Sequence, residues 1–367
     1  MLCCIFNYPP KYRESIYKKI DEAFDTQFYF GSEVLQGLSS GIEKLDLGIF
    51  KNKPKHIKTI RLFRSFYWRT GIIFLPFKRN YTSFLITGDT PLSYYPFLFF
   101  CCLLGKKVYA WGHGLKHHSR RLGFLEKFYQ NSLTTYLTYS EKGRERMIEL
   151  GYPLEKYRVI YNSLNEGVDY EVANYQRSEI YKRHFDNDDP VLIFTGRLTE
   201  NKRLDMLVQA VSELNEEHFN VNLMIVGDGT MSESLHSSVK NFGIEDRVWF
   251  YGECYDESVL KKLFYNADLC VSPGNVGLTA LHALSYGVPV VTHDDFFAQM
   301  PEYEVVVPSR TGLLYKKGDQ EDLKAKIREW FSLSIDRDKV REMCYSMIND
   351  KWNSLNQIEI LKDVIKE

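Results

Sequence analysis

Between residues 191 and 292 short apolar runs alternate with longer amphipathic stretches, and no other feature limits the possible folds as much. The runs 191–195, 221–226, 248–251, 269–272 and 288–292 are rich in Val, Ile, Leu and aromatic residues. The stretches 204–214, 232–241, 258–266 and 277–286 place apolar residues at helical spacing. Runs that are apolar throughout, instead of every second residue, belong to strands covered on both faces. Linked by helices, such strands make a parallel sheet. The first part of the chain repeats the pattern less clearly, with strands expected at 2–6, 28–30, 83–87, 107–111, 135–139 and 158–162. A helix at 141–150 is stopped by Gly151 and Pro153. A polar stretch, 163–190, holds one short helix around 178–184 and separates the two halves. The expected fold class is α/β, with two doubly wound Rossmann-like domains facing a cleft. They are placed at 1–168 and 169–345, and a helical tail at 346–367 closes the chain.

Length and composition fit that plan: 367 residues suffice for two domains, and 44% hydrophobic with 26% charged residues excludes a disordered, fibrous or multi-pass membrane chain. Aromatic content is high at 15%, with 25 Tyr and 24 Phe. The seven cysteines, at 3, 4, 101, 102, 254, 270 and 344, include no C-x-x-C pair, so reduced thiols are expected and no zinc site or disulfide framework. The net charge of −1 conceals a sorted distribution. Residues 51–125 hold 14 Lys and Arg against a single acid, Asp89, a balance of +13. Residues 1–50 hold 5 basic and 7 acidic groups, so 1–125 carry +11 and the remainder −12. The first half should therefore face something anionic: nucleic acid, acidic lipid or a pyrophosphate-linked substrate. No nucleic-acid-binding motif accompanies the basic stretch, which leaves the other two. The opening Leu2-Cys3-Cys4-Ile5-Phe6 reads as a buried strand and not as a signal peptide. The longest apolar run, 94–104, contains Pro96 and falls short of the ~20 residues that span a bilayer, so membrane contact should be peripheral.

Two loops stand at strand ends, where open α/β sheets bind ligands. In Thr195-Gly196-Arg197-Leu198-Thr199-Glu200-Asn201-Lys202-Arg203, a glycine turn is followed by two cations just ahead of a helix. Bidentate guanidinium contacts and a helix start suit a pyrophosphate. In Ser272-Pro273-Gly274-Asn275-Val276-Gly277-Leu278-Thr279, two glycines let backbone N–H groups approach an anion at the start of the next helix. Leu278, Leu281 and Leu284 should face the core, and His282 lies one turn into that helix.

Strand-Gly-Arg-x4-Lys, strand-Gly-Asp-Gly (Gly227-Asp228-Gly229), the glycine-bearing loop before a helix, and Gly287-Val288-Pro289-Val290 form an ordered series. It resembles the donor-binding domain of retaining family 4 glycosyltransferases of the GT-B fold, well over residues 190–320 and in outline over 1–165. The resemblance implies that Arg197 and Lys202 hold the diphosphate of a nucleotide-sugar donor, with Gly196 in the turn and the amides of Gly277, Leu278 and Thr279 on the same phosphates. It implies that His113, in Ala110-Trp111-Gly112-His113-Gly114, is the active-site histidine near the reacting sugar. The family's Glu-x7-Glu pattern is absent. Gly274 takes the first position, with Asn275 or water standing in, and His282 takes the second and would meet a ribose hydroxyl. Arg203 stands where the family has glycine, and Asn7-Tyr8-Pro9-Pro10 replaces its Gly-Gly turn.

The chemistry implied is metal-independent sugar transfer with retention, needing no cofactor, the departing phosphate assisting deprotonation of the acceptor. His293-Asp294-Asp295 reads as the end of a strand, not as a metal pair. The acceptor, a glycan or polyprenyl-linked glycan of surface polysaccharide or O-antigen type, would occupy the first domain. Ile57, Ile60, Phe63 and Phe66/Tyr67 at helical spacing, with Lys58, Arg61, Arg64 and Arg69 between them, read as an amphipathic helix for an anionic membrane surface. A cytoplasmic enzyme, peripheral at the inner membrane face, is the expectation. A nucleotide-sugar epimerase of the same fold and a non-catalytic glycan-binding protein are the competing readings.

Overall fold

The computed structural model describes residues 1–31, 43–63, 66–114, 123–168 and 175–366. The chain divides into two compact units, one of residues 1–166 with 353–367, the other of residues 167–352. The boundary expected at residue 169 itself lies outside the described residues.

The first unit is a seven-stranded parallel sheet with strand order β3-β2-β1-β6-β7-β8-β9. Its strands are β1 (Leu2–Phe6), β2 (Thr26–Gly31), β3 (Lys55–Ile57), β6 (Ser83–Thr87), β7 (Lys107–Gly112), β8 (Thr135–Thr138) and β9 (Tyr157–Val159). Helices α1 (Glu14–Ala23), α2 (Tyr94–Leu103), α3 (Phe124–Ser132) and α4 (Glu141–Glu149) cross between them. Residues on β1 feed two cores in alternation: Cys3 and Ile5 join α2 and α3, whereas Leu2, Cys4 and Phe6 join Ile16, Tyr17 and Ile20 of α1. This two-sided burial is why the strand reads as an unbroken apolar run.

The second unit holds a six-stranded parallel sheet, β12-β11-β10-β13-β14-β15. Its strands are β10 (Val191–Thr195), β11 (Asn222–Val226), β12 (Val248–Gly252), β13 (Leu269–Ser272), β14 (Val290–His293) and β15 (Gly312–Tyr315). Its helices are α5 (Ile180–Phe185), α6 (Leu204–Glu216), α7 (Ser232–Phe242), α8 (Glu257–Asn266), α9 (Leu278–Ser285), α10 (Gln320–Ser332) and α11 (Arg337–Asp350). The expected α/β class with doubly wound sheets is met in both units. In each the strand order reverses once, between β1 and β6 and between β10 and β13. The tail is two helices, α11 in the second unit and α12 (Ser354–Val364) in the first, where Ile358, Leu361 and Ile365 join the α1 core.

One expectation is overturned. Residues 57–73 are not a helix. Thr59–Phe63 (β4) and Phe66–Arg69 (β5) pair antiparallel, Ile60 opposite Trp68 and Arg61 opposite Tyr67, and Ile72–Phe77 forms a 3-10 turn. The β-branched and aromatic residues here fit a pleated ribbon, and the alternation from Lys58 to Leu62 was the period that counted. Arg64 lies outside the described residues. The apolar run 94–104 is helix α2, with Pro96 in its first turn where its missing N–H is harmless. Among the described residues no helix is long and apolar enough to cross a membrane.

Leu361 is fully buried and Leu355 is half exposed on the same helix. Leu361→Ala should lower the unfolding free energy by about 2–5 kcal/mol, and Leu355→Ala by less than about 0.5 kcal/mol, both read by urea denaturation.

Candidate functional site

In the second unit the loops after β10 and β13 flank the point where strand order reverses, the usual ligand position in such sheets. The two loops are joined. Gly274 N–H donates to the Lys202 carbonyl at 2.9 Å, and Lys202 Nζ donates to the Asn275 carbonyl at 2.6 Å. Thr279 Oγ1 donates to the Thr195 carbonyl at 3.0 Å and ties the start of α9 to the end of β10, beside Gly196. Gln299, buried, accepts from Val276 N–H at 3.0 Å and donates to Thr292 Oγ1 at 2.7 Å and the His293 carbonyl at 3.0 Å. The Tyr315 hydroxyl donates to the Pro273 carbonyl at 2.7 Å.

Gly196, Arg197, Lys202, Gly274, Asn275, Gly277, Leu278 and Thr279 are thereby gathered at one sheet edge. Gly277 precedes α9 with φ +56° and ψ −146°, a conformation close to glycine's own region, and so turns the chain sharply into the helix. As at any helix start, the Leu278 and Thr279 N–H groups at the head of α9 lack partners within the helix, whereas Ala280 N–H donates to the Gly277 carbonyl at 3.1 Å. Arg197 is exposed and Lys202 half-buried. Burial, and then the charge of Arg197, lower the Lys202 pKa to about 8. Arg203 adopts a left-handed conformation, φ +52°, at the head of α6, a backbone state that glycine enters without the steric cost an arginine bears. Its guanidinium is held by Asp205 at 3.0–3.2 Å.

Several expectations for individual residues change. A Cβ on Gly274 would stand 2.0 Å from the Asn201 carbonyl oxygen and 2.7 Å from Lys202 backbone atoms, so the packed loops exclude any side chain there. Asn275 meets Lys202 through its backbone. Leu281 and Leu284 are buried, but Leu278 is only half-buried. His282 stands one turn away from the loop junction. Its Nε2 lies 3.1 Å from Glu257 Oε2, to which the Tyr286 hydroxyl also donates at 2.8 Å. The His282 contact holds the Glu257 carboxyl below the usual range. Asp295 accepts from Phe297 N–H at 2.9 Å and from Lys317 Nζ at 2.9 Å, as a strand-end residue does.

In the first unit His113 follows β7, exposed, its ring 5.0 Å from that of Tyr139. The Tyr136 hydroxyl accepts from Gly114 N–H at 3.1 Å and fixes the turn. On the neighbouring strand end, Asp89 is paired with buried Arg69 at 2.6 Å. Sequence reasoning missed Gln299, which braces the loop at Val276 from further along the chain, and Glu257 with Tyr286, which surround His282.

Comparison with known proteins places these units. Residues 176–347 match the family model described as glycosyl transferases group 1. The uncharacterized glycosyltransferase MJ1607 of Methanocaldococcus jannaschii is 30% identical over 171 residues, 43% of this chain and 43% of that protein. The N-acetyl-alpha-D-glucosaminyl L-malate synthase of Bacillus anthracis is 29% identical over 174 residues, 47% and 43% of the two chains. The chain thus spans under half the length of these curated relatives. Among solved structures, the apo lipopolysaccharide outer core galactosyltransferase WaaB superposes with a TM-score of 0.71 at 16% identity, covering 100% of this chain and 99% of that one. Anabaena Alr3699/HepE in complex with UDP gives 0.69 at 15%, again over 100% and 99%. These likenesses show the fold, the two-domain α/β architecture of GT-B glycosyltransferases.

With a pKa lowered to about 8, the Lys202 amine is mostly charged at pH 7 and mostly neutral at pH 9. A diphosphate at this edge favours the charged form, so its affinity should fall as the pH rises through 8, by up to about tenfold per unit. Calorimetric titration of UDP at pH 7, 8 and 9 reads this directly, and a constant affinity contradicts it.

Proposed function

We propose that the protein is a glycosyltransferase that moves a sugar from a nucleotide diphosphate, UDP by analogy with the ligand of Alr3699/HepE, to a hydroxyl of a glycan acceptor. The observation that supports it is the convergence of Arg197, Lys202 and the start of α9 where strand order reverses. Two cations and free amides suit a group that gains negative charge as it departs, and fixed electrostatics of this kind is usually the largest catalytic contribution. In the reaction the bond from the anomeric carbon to the β-phosphate oxygen breaks and a bond to the acceptor oxygen forms. The acceptor's proton passes to the departing phosphate, with retention at the carbon. His113 contacts the sugar, and His282, oriented by Glu257, contacts the ribose. The arrangement calls for no metal and no cofactor.

The first unit, residues 1–166 with the last helix, is the acceptor-binding domain, and residues 167–352 bind the donor. A lipid-linked acceptor at an anionic membrane surface fits the exposed Leu62, Phe63, Phe66, Phe74, Phe77 and Phe99, set in the most basic stretch of the chain. Aromatic and apolar groups among cations are the composition of interfacial surfaces.

Replacing Arg197 or Lys202 by Ala should lower transfer by roughly 10² to 10³, measured as UDP released from a panel of UDP-sugars; unchanged turnover in the double variant refutes the reading. Vesicles containing anionic lipid should float the protein at low salt and release it at high salt. Equal flotation with neutral vesicles rules out the membrane role and leaves the donor site standing.

A further inference from the structure

At the carboxyl end of the first sheet an arginine is held with its charge unspent. The Arg13 guanidinium lies 5.2 Å from the ring of Trp111, 5.4 Å from Tyr139 and 5.8 Å from Tyr12, and donates a hydrogen bond to the Tyr139 hydroxyl. The Tyr139 ring also carries the His113 imidazole at 5.0 Å, so the two side chains share one support. Arg13 is partly buried, and no carboxylate pairs with it among the described residues. Its neighbours' charges are already matched: Lys11 pairs with Glu43 at 2.6 Å, and Glu14 with Lys18 at 2.5 Å. The other arginine of this sheet edge, Arg69, shows the contrast, since it is fully buried and meets Asp89, Thr87 and Tyr94.

The placement is electrostatically awkward for a cation. Arg13 directly precedes the ten-residue α1, and a helix start carries partial positive charge. A guanidinium has five N–H donors, and the Tyr139 hydroxyl occupies one. Three rings keep the fork in place, the Tyr17 hydroxyl is a further polar neighbour, and no carboxylate among the described residues matches its charge. Such a group is already organised for an oxyanion, which would give the fork the negative partner it lacks.

We propose that Arg13 is the anchor of an oxyanion site in the first unit, taking a phosphate or carboxylate carried by the acceptor. This rests on the reading of the first unit as the acceptor domain. The site lies beside His113, so an anion held there positions the acceptor for the reaction. A phosphate would come from a diphosphate-linked carrier, and a carboxylate from an acidic sugar.

The test uses the full chain and two probes, pyrophosphate and glucuronate, titrated by calorimetry into Arg197→Gln/Lys202→Gln, in which the second unit's cations are removed. At least one probe should bind, and adding Arg13→Gln should weaken it tenfold or more, with Arg13→Lys in between. Binding of pyrophosphate alone assigns the phosphate, and of glucuronate alone the carboxylate. Equal binding with and without Arg13→Gln, or no binding of either probe, overturns the proposal. Should Arg13→Gln fail to fold, protection of Arg13 by the probes against phenylglyoxal, read by peptide mass, decides the matter in the unaltered sequence, and absence of protection overturns it. UDP binding to the unsubstituted protein reports on the donor site separately, so failure of one reading is not failure of the other.

Discussion

The junction between the loops after β10 and β13 is the constraint on which the second unit's candidate site depends. Lys202 both receives a bond from Gly274 at its carbonyl and gives one to Asn275 from its ammonium. Backbone and side chain of one residue thus lock two loops that are some seventy positions apart. The same bonds drain the lysine of water contact, and with Arg197 nearby its proton is held less tightly than usual. Position and chemistry are set by one contact, and a glycine at 274 is what lets the backbones come close enough to form it.

Most strands of both sheets were legible because burial on two faces writes an apolar run, whereas the short edge strands β3 and β15 were not, and the helices between β10 and β14 were legible from their apolar periodicity. The ribbon β4–β5 was misread because Ile57, Ile60, Phe63 and Phe66/Tyr67 satisfy a helical period as well as a pleated one, and its pairing is with itself instead of with the main sheet. At the candidate site, the cations and the glycine-bearing turn could be located from order along the chain. What could not be read was support from afar. Gln299 looks like any polar loop residue, yet it is buried and bonded to both the loop at Val276 and the end of β14. Gly274 looked like a lost carboxylate, whereas its surroundings leave no room for one.

The high tyrosine content acquires a physical meaning in the first unit. The Tyr136 hydroxyl carries the turn that holds His113, Tyr139 supports both His113 and Arg13, and Tyr29 and Tyr81 bond to each other at 2.9 Å within the core. A ring fills the interior and its hydroxyl serves as a bonding tip at the sheet edge, which neither phenylalanine nor serine would do alone. Loops at the strand ends are thereby braced from below by side chains rooted in the core.

Because Ile358, Leu361 and Ile365 complete the core around α1, that core waits for a segment the ribosome makes only after the whole second unit. The intervening unit, 167–352, is contiguous and emerges whole before that closing helix does. Order of synthesis and order of completion therefore run opposite to each other: the first sheet stays open along its α1 flank until residues 354–365 have been made, and a nascent chain halted before residue 353 would carry a finished second unit and an unsealed first one.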